Sequence, residues 1–220
     1  MDYEAAARRN RRDTLLVIAL ILLVIPLAVF LVRRFDPGYS REPLVVERFL
    51  LDDFVTVTAY GKDRRKVERA VEEAFRAMER VQEVADRYRE DSELYSVNRR
   101  ASEQEVVLSE DLWSMLEVAV EVNRSTGGAF DVTVGPLVDL WDVKGKAERG
   151  GPPPTSEEIG RVLPLVGMDK LELDPARRTL RFKVPGMSLD LGGLAKGYAL
   201  DKAVEALRSH GISSFVVNML

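Results

Sequence analysis

The chain concentrates its chemistry in the segment Asp190-Leu191-Gly192-Gly193-Leu194-Ala195-Lys196-Gly197-Tyr198-Ala199-Leu200-Asp201. A carboxylate, two glycines and a lysine fall within one short stretch that follows an extended run and opens a helix. Free backbone N–H groups at a helix start attract anions, and a lysine expected in the first turn adds a cation to the same point. A lysine there opposes the helix dipole, so an anionic ligand explains it better than helix stability does. Asp190 can equally cap the following turn, and two glycines alone are ordinary turn residues. A second segment, Thr126-Gly127-Gly128-Ala129-Phe130-Asp131-Val132-Thr133-Val134-Gly135-Pro136-Leu137, holds a glycine pair, an aromatic ring and an aspartate. On its own, the alternation of Phe130, Val132 and Val134 reads as a buried strand.

Other chemistries are excluded by inventory. The chain has no cysteine, which removes disulfides, thiolate metal sites, a lipid-modified cysteine and a cysteine nucleophile. His210 is the single histidine and sits where a helix carboxyl end is expected, so histidine catalysis has no candidate. Carboxylate and carbonyl oxygens remain, and these suit a hard cation such as Mg²⁺.

Several elements must position these groups. Phe54–Tyr60 alternates as a half-buried strand closed by Gly61. Val67, Val71, Ala74, Phe75, Met78, Val81 and Ala85 then recur at helical spacing, with a solvated charged face opposite. A second helix is expected after Ser109, carrying Leu112, Met115, Leu116, Ala119 and Val122 inward and ending near Gly127-Gly128. Residues 141–154 contain three consecutive prolines and read as a loop. Thr155 and Glu158 form a capping-box pattern, and strands are expected over Lys170–Leu173, Thr179–Val184 and Met187–Leu191. The last helix is expected to bury Leu200, Val204 and Leu207 and to stop at Gly211; Ser213–Leu220 reads as a buried strand. There is no internal repeat.

The amino-terminal portion differs in character. Thr14–Val32 is a run of 19 residues without a charge, about 28 Å long as a helix and close to a bilayer's hydrocarbon thickness. Arg8, Arg9, Arg11 and Arg12 precede it and only Arg33 and Arg34 follow closely, which orients the short amino terminus toward the cytoplasm. The expected organisation is a cytoplasmic terminus (1–13), a transmembrane signal-anchor helix (14–32), a linker (33–45) and a single extracytoplasmic domain (46–220). Without residues 1–34 the chain keeps 26 basic and 33 acidic side chains, a balance that argues against nucleic-acid binding.

From "LLDDFVTVTAYG" through "ADRYREDSELYSVN" to the two segments above, the chain resembles the ApbE family, the FAD:protein FMN transferases. The resemblance implies an α+β fold of helices layered on a mixed or antiparallel sheet. It implies Mg²⁺-dependent cleavage of FAD, transfer of FMN to a threonine hydroxyl of a target flavoprotein and release of AMP. Position by position, Asp190 and Lys196 match FAD contacts, Ala129, Phe130 and Asp131 match a flavin-contacting tripeptide, and Gly193 matches a backbone carbonyl on Mg²⁺. Tyr88 matches a tyrosine against the cofactor, although Asp86-Arg87 stands where the family usually has Ser or Thr before it. Leu51-Asp52-Asp53 aligns with Met-Gly-Thr or Met-Asp-Thr, leaving Leu51 to pack on the flavin and replacing a threonine by Asp53. The family continues past a "VVN"-like strand with further magnesium ligands and its catalytic aspartate, so the resemblance implies a carboxy-terminally incomplete fold and assigns no catalytic base here. Other readings are a flavin-binding module without transferase activity, an FAD pyrophosphatase and an inactive fragment. The expected partners are FAD, a threonine-bearing acceptor flavoprotein of a membrane redox system and, through Thr14–Val32, the bilayer of the cell membrane.

Overall fold

The computed structural model describes residues 23–25, 27, 42–142, 145 and 149–219. Most of the predicted membrane span therefore lies outside the described residues; among those described, no helix is long and apolar enough to cross a membrane. Strand β1 (Leu44–Leu50) begins inside the last two residues of the expected linker and was not anticipated from the sequence. It pairs antiparallel with β2 (Asp53–Tyr60) through a two-residue turn, Leu51-Asp52, whose φ angles are 55° and 60°. Both residues sit in the left-handed region that hairpin turns of this length need, a conformation that costs a residue with a Cβ about 1 kcal/mol or more.

Helix α1 (Arg64–Ala85) is capped by Asp63, whose side chain accepts from the Lys66 N–H at 3.1 Å, and it buries the predicted stripe from Val67 to Ala85. A short helix absent from the sequence reading, α2 (Glu93–Arg100), is capped by Ser92. Strand β3 (Val106–Val107) follows, then α3 (Glu110–Ser125), which starts at the predicted cap Ser109. A 3-10 turn (Val132–Val134), α4 (Gly135–Trp141) and α5 (Ser156–Val162) come next, the last with the predicted Thr155/Glu158 capping box. Strand β5 (Thr179–Phe182) lies within its predicted stretch, while β4 (Leu171–Asp174) runs one residue later than predicted and takes in Asp174, which was expected in the turn. Helix α6 (Gly192–Ser209) and β6 (Ser214–Met219) complete the described chain.

The strands make two antiparallel three-stranded sheets, ordered β1-β2-β6 and β3-β5-β4. The core lies between them and the helices: Val55 and Val57 meet Phe75 and Met78 of α1, Leu112 and Met115 of α3, and Ala199, Ala203 and Leu207 of α6, all buried.

Four expectations change. The buried stripe of α6 runs through Ala195, Ala199, Ala203 and Leu207, while Leu200 and Val204 are only half-buried, because small residues let α6 lie close against α1. Residues 132–134 form a 3-10 turn rather than a strand: the Asp131 carboxylate accepts from the N–H and hydroxyl of Thr133 at 2.7 and 2.5 Å, and Pro136 starts a helix. Met187, Leu189 and Leu191 are buried as a strand's inner face would be, yet the stretch joins no sheet. Strand β6 is not buried either; Val216 and Asn218 face outward at a sheet edge.

A stability prediction arises in the β4–β5 turn. Arg178 is exposed with φ of 51°. Arg178→Gly removes the Cβ clash at the cost of extra freedom in the unfolded chain, for a net gain of about 0.5–1 kcal/mol in urea unfolding. Ligand binding should not change, since this turn lies on the other sheet.

Candidate functional site

A cleft of about 430 Å³ opens where three separate stretches of chain meet, the β1–β2 hairpin, residues 82–88 and the start of α6, a size suited to an organic ligand. The β1–β2 turn contributes Phe49, Leu51 and Asp52; the end of α1 contributes Gln82 and Asp86; the following loop contributes Arg87 and Tyr88; the start of α6 contributes Asp190, Gly192 and Lys196. The hairpin is anchored to α1 because the Leu51 N–H donates to Gln82 Oε1 at 2.7 Å. Tyr88 is largely exposed, its ring beneath the Arg87 guanidinium at 5.3 Å.

Arg87 is the hub. Its side chain is 9% exposed and donates to Asp190 Oδ2 at 3.1 Å, to Asp139 Oδ2 at 2.8 Å and to the Gly135 carbonyl at 3.2 Å. Asp190, 17% exposed, uses its other oxygen to accept from the Gly192 N–H at 2.8 Å. Asp190 thus caps the turn into α6 and also lines the cleft in a charge pair. The segment before it is clasped by Asn98, whose amide donates to the Leu189 carbonyl at 3.0 Å and accepts from the Leu189 N–H at 2.7 Å. The Asp190 N–H donates to the Val132 carbonyl at 2.8 Å. Side-chain bonds thus take the place of a sheet ladder. Asn98→Ala removes two bonds from buried backbone and should cost about 2 kcal/mol. Asn98→Asp should cost as much, because its second oxygen would face a carbonyl; urea midpoints of both variants check this.

Lys196 is the fifth residue of α6, in the second turn rather than the first as expected. Its Nζ donates to Asp53 Oδ2 at 2.6 Å. That hydrogen bond first, and the Phe54 N–H to a lesser degree, hold the Asp53 carboxyl below its ordinary value of 3.8. A depressed acid stabilises the fold above its unfolded value, so this contribution persists at neutral pH and fades only as pH falls below about 3.8.

Leu51, Tyr88, Asp190 and Lys196 therefore share the cleft, whereas Ala129, Phe130, Asp131 and Gly193 do not line it. Ala129 is exposed, and Asp131 is engaged with Thr133. Phe130 is half-buried beside the start of α6: a Cβ built on Gly193 would come within 3.3 Å of its ring, so the glycine admits the aromatic edge. Gly193, second in α6, turns its carbonyl along the helix toward the Gly197 N–H. Among the described residues, no group of three or more His, Asp or Glu side chains is placed to hold a metal.

Sequence reasoning missed Arg87, Gln82, Asn98 and Phe49. Gln82 had a readable signal, since it continues the spacing Phe75, Met78, Gln82, Ala85 as a polar residue on an apolar stripe. Arg87 and Asn98 had none, because their partners lie as many as 103 and 91 positions away.

The ApbE family profile matches residues 51–219. An FAD:protein FMN transferase of Vibrio cholerae serotype O1 is 34% identical over 147 residues, covering 67% of this chain and 43% of that protein. One from Haemophilus influenzae is 31% identical over 175 residues, covering 78% and 48%. Among solved structures, the ApbE protein of Thermotoga maritima superposes with a TM-score of 0.72 at 26% identity, over 81% of this chain and 59% of that one. The flavin transferase ApbE from Vibrio cholerae does so with 0.72 at 28%, over 82% and 57%. The chain spans about half the length of the curated relatives it matches.

Proposed function

The chain belongs to the ApbE family, and from that premise we propose that it serves as an FAD:protein FMN transferase, moving FMN from FAD to a threonine hydroxyl of an acceptor flavoprotein and releasing AMP. The observation that carries the reading is the convergence of Leu51, Tyr88, Asp190 and Lys196, from three segments, on one cleft. In the proposed complex Lys196 offers its ammonium to the FAD pyrophosphate, and Leu51 and Tyr88 face the flavin. Asp190, oriented by Arg87, contacts the cofactor at the start of α6. Ala129, Phe130 and Asp131 form an outer contact for the flavin. The reaction breaks one P–O bond of the pyrophosphate and forms one to the threonine oxygen. The threonine proton leaves with a base that the described residues do not identify, and AMP takes the departing electron pair.

Mg²⁺ belongs to the same proposal, its chemistry being to neutralise charge on the phosphates. The Gly193 carbonyl is the oxygen that would face it, and among the described residues the side chains do not build a metal centre by themselves. The proposed setting is the outer face of the cell membrane, with the run Thr14–Val32 as anchor and a membrane redox flavoprotein as acceptor. The arginine imbalance around that run supports it.

The test is a transfer assay with the full chain in detergent, FAD, Mg²⁺ and an acceptor peptide bearing a Ser/Thr-Gly-Ala-Thr motif, read by acceptor mass. The expected result is a gain of one FMN less water. Free FMN with unmodified peptide would indicate a pyrophosphatase instead, and bound FAD with neither product a flavin-binding module.

A further inference from the structure

We propose that Asp53 is a built-in competitor for Lys196, so that an incoming pyrophosphate must share or displace a carboxylate already bonded to the lysine. The proposal rests on the reading that FAD brings its pyrophosphate to Lys196. The two partners differ in freedom. Asp53 opens β2 opposite Leu50 in the ladder, its other oxygen accepts from the Phe54 N–H at 2.9 Å, and its side chain is 18% exposed. Lys196 is 45% exposed on a flexible stem. The carboxylate is thus the fixed member and the ammonium the mobile one.

The surroundings sharpen the competition. Asp52, Asp86 and Asp190 line the cleft beside Lys196, and its other cation, Arg87, is already matched to Asp190 and Asp139. A pyrophosphate that draws Lys196 away leaves Asp53 facing it without a counter-charge; one that shares the ammonium meets a carboxylate at close range. Either outcome opposes the anion, and neither arises if position 53 is neutral. Asp53 thereby lowers affinity for phosphate-bearing ligands in particular and leaves a phosphate-free flavin unaffected.

Dissociation constants of the full chain for FAD, ADP and riboflavin, measured without divalent cations, test this with Asp53→Asn, Asp53→Thr and Lys196→Ala. Asparagine keeps the oxygen that accepts from Phe54, so the hairpin should fold, and threonine gives a second neutral variant. The expected result is about tenfold tighter FAD and ADP binding in both neutral variants with riboflavin unchanged, while the thermal midpoint stays level or falls as the ion pair is lost. Opposite movement of affinity and stability is what a merely structural aspartate would not produce. Unchanged or weaker FAD binding in both neutral variants, with Lys196→Ala still weakening it, overturns the proposal and makes Asp53 a positioning residue for the lysine. A Lys196→Ala chain that binds FAD as the wild type does removes the underlying reading of the cleft, and the proposal with it.

Discussion

Lys196→Ala is expected to weaken FAD binding by about a hundredfold and to leave the thermal midpoint almost unchanged. A hydrogen bond from an ammonium to a phosphate contributes about 1.5–3 kcal/mol, and each 1.4 kcal/mol is roughly tenfold in affinity. The loss should reach the upper end because the substitution also strips Asp53 of its partner and leaves that carboxylate facing the ligand. Stability should hold because Lys196 is nearly half exposed, and ion pairs open to solvent contribute little to folding. Lys196→Arg keeps the charge and should recover most of the affinity. Isothermal titration beside a thermal melt separates the two quantities; a large fall in the midpoint with FAD affinity intact would make Lys196 a structural residue.

Arg87→Ala should cost about 3 kcal/mol of stability and abolish measurable flavin binding. Removing one partner of a buried pair leaves the other desolvated and uncompensated, which costs about 3–5 kcal/mol. The lower end applies because Asp139 is well exposed and Asp190 retains the Gly192 N–H. Binding fails because the same guanidinium aligns Asp190 and backs the Tyr88 ring. Arg87→Lys should recover only part, since one ammonium cannot fork to Asp190 and Asp139 as a planar guanidinium does. Urea midpoints of Arg87→Met, Asp190→Asn and the double variant provide the check. The double variant should lose less than the sum of the singles, and strict additivity would show that the two side chains do not act on each other.

The parts of the molecule that were legible in sequence are those governed by local rules. The α1 stripe, the Ser109 cap and the Thr155/Glu158 box all depend on residues within about one helical turn, although α2 and the Asp63 and Ser92 caps, equally local, escaped notice. The convergence of Asp190 and Lys196 was legible because both lie in one segment. Elsewhere periodicity misled, through local polar and proline residues in one case and a long-range partner in the other. Phe130, Val132 and Val134 alternate as strand residues do, but Asp131 and Pro136 bend the chain into a turn and a helix. Met187, Leu189 and Leu191 also alternate, and their backbone is claimed by Asn98 from 91 positions away. Lys196 pairs with a residue 143 positions distant, which no spacing rule could reach.

The register of β2 against β6 has a consequence for the order in which this molecule can assemble. Val55 pairs with Met219 and Tyr60 with Ser214, so the central strand of its sheet waits for a partner more than 150 residues downstream. At ordinary synthesis speeds of about 5–20 residues per second, the β1–β2 hairpin and the apolar stripe of α1 stand uncovered for roughly ten to thirty seconds before α6 and β6 arrive. Closing a loop of that span is slow even in the free chain. The nascent protein thus exposes apolar surface throughout that interval, and refolding from urea should show hairpin and helix signals well before the cleft can bind a ligand.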